Sequence, residues 1–440
     1  MNPGLDLATD GPVLRSRSLR ICIVVPYDLS EKGGVKHHAL ELARALRREG
    51  DQVTIIGPAT LDPKIEGVET FGGIVNIRSN ASDNRVALFV SPFRLRRFFE
   101  KGRFDVIHIH EPPIPSLPYW AAWLTPGVPK VCTFHAFNEA PSAQVRLGQH
   151  LSAFLQGRFI HHALAVSVPA ARHASRAWSQ PMTIVPNGVA TDVFSPDYAG
   201  GTPPRPPGSP ASAEGRARDG AEGTTRLLFC GRLSDERKGL RYMLGAYRML
   251  RARGVAVSLD IVGEQAGAPP PPELDGLRYH GPVSRAELVA RFRACDIFVA
   301  PSTSQESFGI VLLEAMATAK PIVCTDIEGY RQVVERRGAR LVPPRDAAAI
   351  AAAILELAGS PELRAAMGAV NLRHAEQYDW AHVAARVREE YVKAIDAFRG
   401  TPATVAPAPR PFAASTPTAS AASTRRSNAA TAPLSHVDGG

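Results

Sequence analysis

Two glutamates flank most of an apolar run in the stretch Ser304–Met316, SQESFGIVLLEAM, with seven residues between Glu306 and Glu314. A carboxylate beside such a run is costly to desolvate unless something binds it. Its natural partners are donors such as the paired hydroxyls of a ribose or another sugar. Pro301, Ser302 and Gly309 mark a loop and a helix start. Glu306 therefore precedes the helix, Glu314 falls in its first two turns, and the amides after Glu306 would face a bound anion. The bland alternative makes Glu306 a capping acid and Glu314 an exposed helix residue.

Two further constellations suit phosphate. In CGRLSDERKGL a strand ends at Cys230, and Arg232 and Lys238 follow in a polar loop. Cations at the carboxyl edge of a parallel sheet fit a diphosphate, although a solvated charge run is the commoner meaning of such a loop. In PYDLSEKGGVKHHALELARAL a strand ends at Pro26, a loop carries Gly33-Gly34, and a helix begins near Val35. Glycines there let backbone N–H groups approach an anion at the helix's positive end. A plain strand-to-helix turn reads the same way, and this is not the dinucleotide G-x-G-x-x-G pattern. His135, in KVCTFHAF, follows a strand, where a lone histidine is usually structural. No D-x-D pair occurs, which argues against a metal-bound diphosphate; cationic side chains and helix ends can do that work.

These groups need elements to place them. The 440 residues suit two domains, with 45% hydrophobic and 21% charged residues, and the net charge of +9 favours anionic partners. Short β-branched runs alternate with amphipathic helical stretches in both halves: RICIVVPY, QVTIIGPA, VIHIHEP and KVCTFHA, then RLLFCGRL, SLDIVGE and PIVCTDIEG. Strands apolar on both faces predict parallel sheets between helices. The expected architecture is α/β, two doubly wound Rossmann-like domains facing a central cleft. The boundaries are a disordered tail at 1–19, a first domain at 20–187, a second at 188–379 with a Pro/Gly-rich insert at 199–224, a helix at 380–398 packing back toward the first domain, and a disordered tail at 399–440. Five scattered cysteines without metal-ligand spacing predict reduced thiols in a cytoplasmic protein. The N-terminus lacks the apolar core of a secretory signal, and no apolar stretch reaches about 18 residues, so membrane contact would be peripheral.

The chain resembles the retaining glycosyltransferases of family 4, which have the GT-B fold. Glu306 and Glu314 match that family's E-x7-E signature, and the early Gly-Gly loop, TFHA, VPNGV, GRLSDERKG, IVGE, ESFGIVLLEAMA and KPIVCTD recur in its order across about residues 20–398. PYDLSEKGGVKHH, DVIHIHEP and YDW resemble the bacterial phosphatidylinositol mannosyltransferases within it. The resemblance implies that the Gly34 amide contacts the donor diphosphate and that Arg232 and Lys238 neutralise it as it leaves. Glu306 would hold hydroxyls of the transferred sugar, with the amides around Phe308, Gly309 and Ile310 on sugar or phosphate. Glu314 would bind the ribose, Val283 would line the base pocket, and His135 would hydrogen-bond the reacting sugar. The implied reaction moves a hexose, mannose from GDP-mannose, to a phosphatidylinositol-type lipid with retained configuration. The nucleotide-sugar is a substrate, so no cofactor and no protein-bound metal are expected.

In SPFRLRRFFEKGRFD, Leu95, Phe98 and Phe99 recur at i, i+3, i+4, and Arg94, Arg97 and Lys101 at i, i+3, i+7, with Arg96 beside them. This pattern suits a cationic amphipathic helix on an anionic phospholipid surface. The resemblance implies that reading, since that subgroup uses a basic helix here to reach a lipid acceptor, with the inner face of the cell membrane as the expected place. An ordinary surface helix with its phenylalanines in the core has the same periodicity. By resemblance Tyr27, Asn80 and Arg85 fall near the acceptor's inositol phosphate, and Lys36 stands where that subgroup has an uncharged amide. The alternatives are another nucleotide-sugar with a soluble acceptor, or a nucleotide-sugar epimerase. Specific nucleic-acid binding is not expected, because few aromatics interleave with the Lys and Arg residues.

Overall fold

The computed structural model describes residues 17–30, 33–61, 64–79, 82–114, 116–139, 141–197, 223–265 and 274–400, all within one compact unit, 1–404. Asn80, residues 1–16 of the first tail, nearly all of the 199–224 insert and residues 401–440 lie outside them. The described residues include 17–19, ahead of the expected boundary at 20. Leu19 is buried, and its amide donates to Asp51 Oδ1 at 2.9 Å.

The first half runs β1 (Arg20–Val24), α1 (Gly34–Arg48), β2 (Gln52–Gly57), β3 (Val68–Thr70), β4 (Gly73–Ser79), β5 (Ser82–Phe89), α2 (Pro92–Gly102) and β6 (Val106–His110). It continues through α3 (Leu117–Trp123), β7 (Lys130–Phe134), α4 (Ala143–Gln156), β8 (His162–Ala165), α5 (Val168–Ala174) and β9 (Met182–Ile184). Seven of these strands form a parallel sheet in the order β3-β2-β1-β6-β7-β8-β9, and β4 and β5 pair as a separate antiparallel hairpin. The strands VIHIH and KVCTF are buried throughout, because helices cover both sheet faces.

The second half runs β10 (Thr225–Cys230), α6 (Leu240–Ala252), β11 (Val257–Val262), β12 (Leu277–Tyr279), α7 (Arg285–Ala294), β13 (Ile297–Ala300) and α8 (Ile310–Ala317). Then come β14 (Ile322–Thr325), α9 (Glu328–Arg331), β15 (Ala339–Val342), α10 (Ala347–Ala358) and α11 (Pro361–Ala375). Its sheet is parallel in the order β12-β11-β10-β13-β14-β15. The last helix, α12 (Trp380–Arg399), returns to the first half, where Val383, Val387, Tyr391 and Ile395 share a core with Ile21 and Leu42. Two doubly wound domains with this crossing helix make the GT-B fold. In each sheet the order reverses beside one strand, between β1 and β6 and between β10 and β13. The crevice outside the carboxyl ends of those strands is where such sheets bind ligands.

Candidate active site

The second domain's crevice lies between the loops after β10 and β13. Lys238 Nζ reaches Glu306 Oε1 at 2.5 Å, and both side chains are partly buried. Ser302 Oγ sits 3.4 Å from the same oxygen and 2.7 Å from the Tyr330 hydroxyl, which fixes the loop from behind. The two loops touch because residue 239 is glycine. At φ +76°, a Cβ there would stand 1.9 Å from the Pro301 carbonyl oxygen. Thr303 N donates to the Arg237 carbonyl at 2.7 Å, closing the contact. Arg232 is exposed at the same edge. Phe308 is buried, and Gly309 caps α8 ahead of Ile310. One turn into α8, Glu314 is 8% exposed; burial pushes its carboxyl up to about 8, against the opposing pull of Arg285. Val283, which precedes α7, is half-buried against the domain core.

The first domain's crevice follows β1, β6 and β7. Gly34 opens α1, and no acidic side chain stands in that helix's first turn to offset its positive end. Above the sheet edge, His38 from α1 meets His110 and His135 in edge-on and tilted contacts, with ring centroids 5.4, 4.8 and 5.1 Å apart. His110 Nδ1 and His135 Nε2 are hydrogen-bonded at 2.8 Å, and His38 Nδ1 bonds Asn187 Oδ1 at 2.8 Å. Burial depresses all three imidazoles, His38 to about 4, so they stand neutral at pH 7. Glu111 holds the turn beneath, accepting from the amides of His135 at 2.6 Å and Ala136 at 2.7 Å. Burial pushes that carboxyl up to about 7. Tyr27 is half-buried; burial and then the Glu111 charge raise its phenol. Arg85 pairs with buried Asp28 at 3.6 Å, and Lys36 lies half-buried on the first turn of α1.

The domains meet beside both crevices. Ser307, next to Glu306, is hydrogen-bonded to the α5 cap Ser167 at 3.0 Å, and Gln332 Oε1 accepts from Val168 N at 3.2 Å. Arg285, two residues beyond Val283, pairs with Glu41 on α1, the helix that Gly34 opens. Glu314, Arg285 and Glu41 thus form one electrostatic chain across the interface.

A family model described as "Glycosyltransferase Family 4" matches residues 32–193, and one described as "Glycosyl transferases group 1" matches residues 224–360. The phosphatidyl-myo-inositol mannosyltransferase of Mycobacterium leprae is 33% identical over 380 residues, spanning 85% of this chain and 96% of that protein. The chain belongs to glycosyltransferase family 4. A second such relative, from Mycolicibacterium smegmatis, is 34% identical over 387 residues, with 85% of this chain and 93% of that protein covered. A solved glycosyltransferase from Rickettsia africae shares the GT-B fold at a TM-score of 0.63 and 18% identity, covering 85% of this chain and 98% of that one.

In this family 4 enzyme the structure joins Lys238 to Glu306 and places Glu314 near Arg285, His135 against His110, and Tyr27 near Glu111. The basic helix is another matter. Leu95 and Phe99 of α2 are buried and Phe98 is half-buried, so the apolar stripe faces the core and the ordinary surface-helix reading holds for it. Arg96, Arg97 and Lys101 are exposed, with Arg96 paired to Glu100 at 2.8 Å, whereas Arg94, also exposed, lays its guanidinium over the ring of buried Phe71, 4.9 Å from its centroid. His38, His110, Glu111 and Arg285 were not among the expected site residues. The alternating histidines of VIHIH were the available signal, since residues i and i+2 share a sheet face. Among the described residues, His38, His110 and His135 also offer ligand nitrogens within 4.8 Å of one another.

Proposed function

We propose that this glycosyltransferase moves mannose from GDP-mannose to a phosphatidylinositol-type lipid, with retention of configuration, at the inner face of the cell membrane. The observation that carries the donor half is the Lys238–Glu306 pair at the second sheet's switch point. There the lysine, with Arg232, meets the leaving diphosphate while Glu306 orients the sugar hydroxyls. Amides at Phe308, Gly309 and Ile310 bind sugar or phosphate, Glu314 takes the ribose, Val283 lines the base, and the Gly34 amide reaches the diphosphate from the other domain. His135 hydrogen-bonds the reacting sugar as a neutral imidazole. The names of the two mycobacterial relatives support the acceptor half, with Tyr27, Lys36, Asn80 and Arg85 around the headgroup. All five cysteines are unpaired, in keeping with a reducing compartment.

Protein cations supply the charge that a D-x-D-bound metal would, so transfer should persist after chelator treatment. The decisive assay incubates the protein with radiolabelled GDP-mannose and vesicles containing phosphatidylinositol, then resolves the lipid products. A mannosylated lipid is expected. Label released only as free sugar, or carried only by a soluble acceptor, would reject the reading. The core packing of Leu95 and Phe99 favours the soluble-acceptor alternative, because it removes the apolar side of α2 from any membrane.

A further inference from the structure

With Leu95 and Phe99 of α2 in the core, that helix offers a membrane its cations and a single exposed phenylalanine, Phe93; a larger exposed apolar stripe lies elsewhere on the first domain. On α4, Leu147, Leu151 and Phe154 are 71%, 52% and 82% exposed. Their spacing of four and then three residues puts them on one side of the helix. Three large apolar side chains in a row are more than the isolated exposure a soluble surface ordinarily carries.

The surrounding charge is one-sided. No Asp or Glu occurs between Glu139 and Asp192, while Arg146 and Arg158 flank the stripe and His150 lies within it. A cleft of about 380 Å³ beside Phe154 is lined by His150, Arg158, Trp178, Ser179 and Gln180 among others, again without an acid. The surface also continues toward α2. Trp123 of α3 is 41% exposed and donates its indole N–H to the Leu155 carbonyl of α4 at 3.1 Å. Residues of α2, α3 and α4 share the core on one face of the first sheet, so their outer sides face the same way. Phe93 of α2, 87% exposed, stands among that helix's arginines.

We propose that α4 is a membrane-docking helix: Leu147, Leu151 and Phe154 enter the interface of an anionic bilayer, with Arg146, His150 and Arg158 at the level of the lipid phosphates. Apolar side chains set between cations and free of acids are what such a surface requires. A second copy of this chain would carry the same cations to the contact, and like charges there oppose pairing. The proposal rests on the lipid-acceptor reading above and supplies an apolar contact larger than the lone Phe93 of α2.

The test is flotation of the full chain with phosphatidylcholine vesicles containing phosphatidylglycerol, compared with phosphatidylcholine alone. Wild type should bind the anionic vesicles. The double variant Leu151→Asp, Phe154→Asp should lose roughly ten-fold or more in vesicle affinity, with an unchanged melting temperature. Leu355→Asp, on the exposed side of α10 in the second domain, should bind as wild type does. Unchanged flotation of the double variant overturns the proposal. So does a wild-type dimer that the double variant splits while vesicle binding stays intact. Failure of mannosyl transfer with vesicle binding retained would reject the acceptor reading and leave the docking helix standing.

Discussion

Lys238 and Glu306 are partly buried partners, and removing one leaves the other uncompensated in a poorly solvated place. If Lys238 also meets charge developing on the leaving diphosphate, its loss should fall mainly on turnover. Lys238→Ala is expected to lower kcat by about 10²–10³-fold, the usual scale for deleting one stabilising donor, as measured by release of GDP from GDP-mannose. Glu314 makes a different prediction. Its carboxyl is held protonated up to about 8 by burial, and a ribose offers it two hydroxyl donors, which the ionised form accepts better than the neutral acid. GDP should therefore bind more tightly as pH rises from 7 to 9. Glu314→Gln should bind more weakly and show no such rise. Calorimetric titration across that range checks the slope, and an unchanged slope in the variant would remove Glu314 from the nucleotide site.

The segments that enter and leave the second domain run side by side. Val189 N donates to the Tyr378 carbonyl at 2.8 Å, and Thr191 bonds Asp379. Gly188 is pressed against the first residue of α12, where an added Cβ would lie 2.6–2.8 Å from three atoms of the Trp380 indole. Gly188→Ala should cost about 1–3 kcal/mol by overpacking, read as a lower melting temperature, and should disturb His38, whose ring lies 5.1 Å from the Trp380 ring. Much of this was legible in sequence. Strands such as VIHIH, KVCTF and IVCT announced two parallel sheets because burial on both faces shows in composition. The E-x7-E run and the Lys238 loop were found because each is local in the chain. Contacts made only by folding were not: His38, His110 and His135 come from a helix and two strand ends, and Arg285 meets Glu41 across the domain interface. The period of α2 could not say which way its apolar stripe pointed, since a core and a bilayer demand the same spacing.

For the whole molecule, the buried imidazoles couple folding to pH. Burial holds His38 at about 4 and His108 at about 3, and holds His110 and His135 well below their ordinary value of 6.5. Unfolded, each takes up a proton as pH falls through 6.5, whereas folded it stays neutral until far lower. The unfolded state then binds more protons, and stability falls with acidification at up to about 1.4 kcal/mol per pH unit for each histidine. Glu111 and Glu314 act oppositely. Their folded values of about 7 and about 8 lie above the ordinary 4.5, so the stability they contribute is full below 4.5 and is lost as pH rises through 7 and 8. Two opposing carboxyls cannot offset four imidazoles between pH 6 and 5, so acid should destabilise the enzyme there. The melting temperature is expected to be highest near neutrality and to drop steeply toward pH 5. His108 is hydrogen-bonded to Tyr391 and Thr133 at 2.7 Å each. His108→Gln should lower stability at pH 7 yet lose less on going to pH 5, because one proton-accepting group is gone. A variant whose loss between pH 7 and 5 equals that of the wild type would show that His108 is not a buried neutral imidazole in the folded protein.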